Sequence, residues 1–105
     1  MATYHNITGS TGVSVELIPV GGNNDIKSIL LTNTHATADA TVTLFIQDSP
    51  EGSASSAFKL LSTVAIPSDT SLLLDDSSML KFNGGTYGLY ITVGSSDTVD
   101  VLINI

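Results

Sequence analysis

An all-β, single-domain, two-sheet antiparallel β-sandwich is the fold class this sequence predicts, and three observations predict it. Apolar residues recur at spacing two, the runs are short, and turn-forming residues interrupt them about every 8 to 12 positions. About eight strands fit the 105 residues. Nothing carries the period of a long amphipathic helix, and no repeat has a solenoid spacing. Jelly-roll and immunoglobulin-like windings both suit this pattern, because strand order is a long-range property that periodicity does not encode.

The domain spans 1–105, with 1–11 read as a candidate extended N-terminal arm. Val13, Val15 and Leu17 alternate with Ser14 and Glu16, and Pro19 with Gly21-Gly22 ends that run. Ile26 to Asn33 reads as a strand covered on both faces. Over Thr41 to Asp48, Val42, Leu44 and Ile46 face one way and Thr41, Thr43, Phe45 and Gln47 the other. Ser49-Pro50-Glu51-Gly52 has type I turn chemistry, and Ser53 to Ala57 extends the loop.

Alternation resumes over Phe58 to Ile66, and Pro67-Ser68-Asp69 leads tightly into Ser71 to Leu74. Asp75-Asp76-Ser77-Ser78 breaks that strand. Met79 to Phe82 is predicted as a short strand, with Asn83-Gly84 supplying the two positive φ angles of a hairpin turn. Thr86 to Val93 and Thr98 to Asn104 close the chain.

Ten acids stand against three lysines and no arginine, a net charge of −7. A chain without a guanidinium lacks the bidentate reader of phosphate, so neither nucleic acid nor an anionic membrane is an expected partner. No stretch approaches the roughly 18 apolar residues of a membrane helix, and no basic region precedes an apolar run near Met1. Either the chain is made and used without crossing a membrane or an export signal has been removed, and Met1 favours the first expectation. Asn6-Ile7-Thr8 fits a glycosylation sequon, which short tripeptides often do by chance.

Ser and Thr make up 27 of the 105 residues, which places hydroxyls where exposed strands usually carry charge. Sheet edges are commonly guarded by lysine, and three lysines guard few edges. The edges are thus expected to be covered by a partner or blunted by Asp-rich turns. Leu30, Phe45, Leu61, Leu73, Tyr90 and Leu102 fall opposite their strands' main apolar rows. Bulges or a strand buried on both faces would explain this; so would a subunit interface, and these six are the candidate interface residues.

Little in the chain carries chemistry. His5 and His35 have no metal-ligand or nucleophile spacing, and His35 reads as a solvated loop residue. Asp75-Asp76 and Asn23-Asn24-Asp25 are the clustered oxygen ligands, an incomplete calcium set better explained by turn formation. Adjacent carboxylates point apart, which disfavours sugar hydrolysis, and there is no Gly-x-Ser-x-Gly elbow or phosphate loop. With no cysteine, thiol catalysis is excluded. No cofactor, no catalytic residue and no metal site is expected.

Leu30-Leu31-Thr32-Asn33-Thr34-His35, Val42-Thr43-Leu44-Phe45-Ile46-Gln47-Asp48, Val64-Ala65-Ile66-Pro67 and Leu72-Leu73-Leu74-Asp75 form a recognisable succession. With Tyr87-Gly88-Leu89-Tyr90-Ile91 and Val99-Asp100-Val101-Leu102-Ile103, it resembles small virion structural proteins of tailed bacteriophages, cyanophage-like ones in particular. The resemblance runs from about residue 26 onward and assigns no individual functional residue.

It implies a non-enzymatic component of the particle: a capsid decoration or cement protein that forms a homo-oligomer, a trimer by preference, and binds the major capsid protein or another virion protein. Made in the host cytoplasm, it would reside in the virion. Alternatives are a small neck or tail adaptor, a fibre subunit, or a carbohydrate- or host-surface-binding module.

Overall fold

The computed structural model describes residues 2–9, 14–22, 25–48, 57–77, 80–82 and 84–105. Its strands are β1 (Ala2–Thr8), β2 (Ser14–Ile18), β3 (Ser28–Asn33), β4 (Ala40–Gln47), β5 (Ala57–Ile66), β6 (Ser71–Leu74), β7 (Gly88–Val93) and β8 (Thr98–Asn104). They form two antiparallel sheets of four, ordered β1-β8-β3-β6 (sheet A) and β2-β7-β4-β5 (sheet B). The all-β two-sheet expectation holds.

Strands pair as β1 with β8, β2 with β7, β3 with β6 and β4 with β5. Consecutive strands fall in different sheets except at β4 and β5, as if one long hairpin were rolled up on itself. This is the jelly-roll winding of eight strands, and it differs from the immunoglobulin arrangement, where the first two strands share a sheet.

Period-two sequence becomes two faces because successive side chains alternate across a strand. The inner row of β8, Val99, Val101 and Ile103, meets Ile29 and Leu31 of β3. Opposite them lie Val42 and Leu44 of β4 and Leu89, Ile91 and Val93 of β7, all nearly or fully buried in one core. Residues 2–8, expected as an arm, take a place in sheet A as its edge strand, with Ile7 in the core.

Three local expectations change. β3 is not covered on both faces: Ile29, Leu31 and Asn33 are buried while Ser28, Leu30 and Thr32 are half-buried. Residues 80–82 form no strand; Leu80 instead buries into the core cluster. The Asn83-Gly84 turn falls partly outside the described residues, and β6 and β7 on either side of it belong to different sheets, so the chain crosses between the sheets there. Val13, Asn23-Asn24, 49–56, Ser78, Met79 and Asn83 lie outside the described residues.

Asn33, at the end of β3, is a fully buried polar residue. Its Nδ2 donates to the carbonyls of Ala38 (2.8 Å) and Ile66 (3.0 Å), and its Oδ1 accepts the His35 N–H (2.9 Å). One side chain thereby joins β3, the loop after it and the end of β5. His35, exposed as expected, organises the same loop: its Nδ1 accepts the N–H groups of Thr37 and Ala38, both at 3.1 Å.

At the opposite end, Asp97 Oδ2 accepts the Thr41 N–H (3.0 Å), and Gly9 N–H donates to the Asp97 carbonyl (2.8 Å). A side chain at Gly9 would drive its Cβ into the backbone carbonyls of Val93 and Gly94, so this close crossing requires glycine.

Candidate functional site

The two outer faces carry the six candidate interface residues, and each face treats them differently. On sheet A, cross-strand register sets Tyr4 opposite Leu102, Leu102 opposite Leu30, and Leu30 opposite Leu73. The result is one apolar row spanning all four strands. Tyr4 is 75% exposed and Leu73 54%, while Leu30 and Leu102 between them are half-buried.

The next row along is polar: Asn6, Asp100, Thr32 and Ser71. Asn6 Nδ2 donates to Asp100 Oδ1 (2.6 Å), and the hydroxyls of Thr32 and Ser71 are 2.9 Å apart. The apolar row is therefore continuous across the four strands and has a polar row beside it, unlike singly scattered surface leucines. Asn6, the sequon residue, is engaged in that border.

On sheet B the equivalent row reads Glu16, Tyr90, Phe45, Lys59. Phe45 and Tyr90 do occupy the outer face, but the expectation that they are available there is corrected: Phe45 is 8% exposed and Tyr90 2%. Their rings stack with centroids 5.9 Å apart and planes at 19°. The Tyr90 hydroxyl donates to Glu16 Oε2 at 2.9 Å. Burial raises the Tyr90 pKa above its ordinary value, reinforced by the Glu16 hydrogen bond and charge. Gln47 opposes that shift, although its buried Nε2 has no hydrogen-bond partner.

Leu61 is corrected for a different reason. β5 carries two register irregularities against β4, between its pairings at Val64 and Leu61 and again between Leu61 and Lys59. Each inserts an extra residue, and each insertion flips the parity of the strand beyond it. Leu61 thus turns inward and packs on the core, while Leu60 is left exposed. At the first irregularity Thr63 has φ 51°, and its N–H is taken up by Thr43 Oγ1 at 3.0 Å.

Sequence reasoning missed Tyr4. Its segment resembles an arm because Thr3, His5 and Ile7 make a weak inner row; Thr3 Oγ1 and His5 Nε2 are buried without a hydrogen-bond partner. The alternation of those three with Tyr4, Asn6 and Thr8 was the available signal.

Beyond the faces, a cleft of about 270 Å³ opens between β5 and β6, lined by Leu60, Leu61, Leu73, Leu74, Leu80, Asp75 and Asp76. Among the described residues no group of three or more His, Asp or Glu side chains converges as a metal site. Nor is any helix there long and apolar enough to cross a membrane. No protein-family model matches the chain, and no curated protein is significantly similar to it.

Proposed function

We propose that this protein is a non-enzymatic structural subunit of a phage particle, a decoration protein that self-associates and attaches to the outer capsid surface. The observation that carries the reading is the exposed row Tyr4–Leu102–Leu30–Leu73. A row this continuous, on an open sheet face with a polar border, is better suited to burial by another subunit than to water. The sequence resemblance to small virion proteins supplies the particle, and the jelly-roll winding is compatible with it, since viral capsid domains use that winding among others.

Charge favours an outside position. A chain at −7 has no means of neutralising packaged DNA, whereas an acidic exterior keeps particles apart. Many weak attachments repeated by symmetry would hold firmly through avidity.

The test is the molar mass by light scattering over a range of concentrations, for the native chain and for Tyr4→Ser/Leu30→Ser. The expected result is a trimer or larger ring that the double substitution reduces to monomers. A native chain that stays monomeric and does not co-sediment with phage shells from its own source would overturn the reading.

A further inference from the structure

The cleft between β5 and β6 is a second candidate surface, and nothing in the self-association reading uses it. We propose that an extended segment of a partner protein, carrying apolar residues and a neighbouring lysine or arginine, adds alongside β6 and seats one side chain in this cleft.

Three features converge there. β6 pairs with β3 on one side, and among the described residues no strand pairs with its other edge. An unpaired edge offers a ready row of backbone donors and acceptors to an added strand. β5, on the same flank of the sandwich, is bent by its two irregularities, so β6 is the regular edge of the pair.

The cleft itself is apolar, walled by Leu60, Leu61, Leu74 and Leu80 at about 270 Å³. That is below the roughly 300–1,000 Å³ of ordinary small-molecule pockets and suits a side chain or two. Alternation does the rest. A strand added to β6 would send alternate side chains into the cleft and, beside Leu73, onto the outer face, lengthening the row Tyr4–Leu102–Leu30–Leu73 by one strand.

Charge selects the occupant. Asp75 follows β6 directly, lines the cleft at an exposed position, and among the described residues no basic side chain lines it with Asp75. A second copy of this chain is a poor fit: two-fold antiparallel pairing of β6 centred between Leu72 and Leu73 would set Asp69 opposite Asp76 twice. Each copy also brings a net charge of −7. A segment carrying a positive charge at its end meets the Asp75 carboxylate favourably.

The experiment is selection from a random dodecapeptide library displayed on yeast, using the full chain as bait. An enriched peptide is then titrated by fluorescence against the native chain and three variants. Enriched peptides are expected to alternate apolar residues and to carry Lys or Arg. Leu60→Ser and Asp75→Lys, both at exposed positions, should each weaken binding about tenfold, and the Asp75 contribution should vanish in high salt.

Tyr4→Ser, on the far edge strand, should leave peptide binding unchanged whatever it does to self-association, which separates this proposal from the assembly reading. No enrichment, acidic consensus peptides, or binding indifferent to both cleft substitutions would overturn it. So would Asp75→Lys driving the protein itself into dimers, because the edge would then be a self-pairing one.

Discussion

The two outer faces present similar side chains to opposite fates. On sheet B, Tyr90 and Phe45 stack on each other between Glu16 and Lys59, and the subunit buries them by itself. On sheet A, Tyr4 and Leu73 stay exposed at the two ends of a row that the subunit does not cover. Neither aromatic of the sheet B pair belongs to the central core, so they form a satellite cluster on the sandwich's far side. Outward apolar residues are thus of two kinds, those the folded subunit buries and those it leaves exposed. Only burial in the folded subunit tells them apart.

Substitution should separate the two kinds most sharply at the ring pair. Phe45→Ala is expected to cost about 3 kcal/mol of folding stability in urea denaturation, the low end for a buried phenylalanine because the site is on a sheet's outer side. Leu73→Ala should stay within roughly 0.5 kcal/mol of the native subunit, measured under dissociating dilution. Comparable losses at both positions would remove the distinction between the faces.

Asn33→Leu comes next, at about 2 to 3 kcal/mol, since it leaves the carbonyls of Ala38 and Ile66 and the His35 N–H without their partner. It serves as a reference: a fold defect confined to the loop end, expected to leave the sheet A face, and the mass measured by light scattering, unchanged once the protein is folded.

Tyr90→Phe should cost about 1 kcal/mol near neutrality through the lost Glu16 hydrogen bond. Its pH signature is more telling. The folded-state pKa of Tyr90 lies above the unfolded value, about 10. Its stabilising contribution is therefore complete below that unfolded value and falls away as pH rises through the folded one, because the unfolded chain releases the proton first. The native chain should lose stability more steeply above about pH 10 than Tyr90→Phe does, and identical alkaline limbs would refute the buried hydroxyl's role.

Smallest in stability is Tyr4→Ser, expected within about 0.5 kcal/mol of native in the isolated subunit. It should nonetheless lower the mass measured by light scattering. A variant that keeps full mass would move the interface away from the Tyr4 end of the row.

How much of the fold and the site is legible in the sequence varies with local geometry. In β3, β6 and β8 the chain runs without irregularity, so the period of two sets Leu30, Leu73 and Leu102 on the outer face as predicted. β5 defeats the same rule, because the one residue inserted between its pairings at Val64 and Leu61 reverses the parity there and turns Leu61 inward. Asn33 is unreadable as a clamp because its three partners come from a following loop and a strand end 33 positions away.

By itself, then, the sequence determined the class of structure: short period-two runs can bury their apolar faces only by packing sheet on sheet, and the scarcity of cations leaves the surface acidic. Strand order, the burial of Phe45 and Tyr90, the alignment of Tyr4 with three leucines from three other strands, and the cleft beside β6 were decided by tertiary structure alone. Each joins residues tens of positions apart, and such joining depends on which strands pair and in what register, a choice made by the whole core at once.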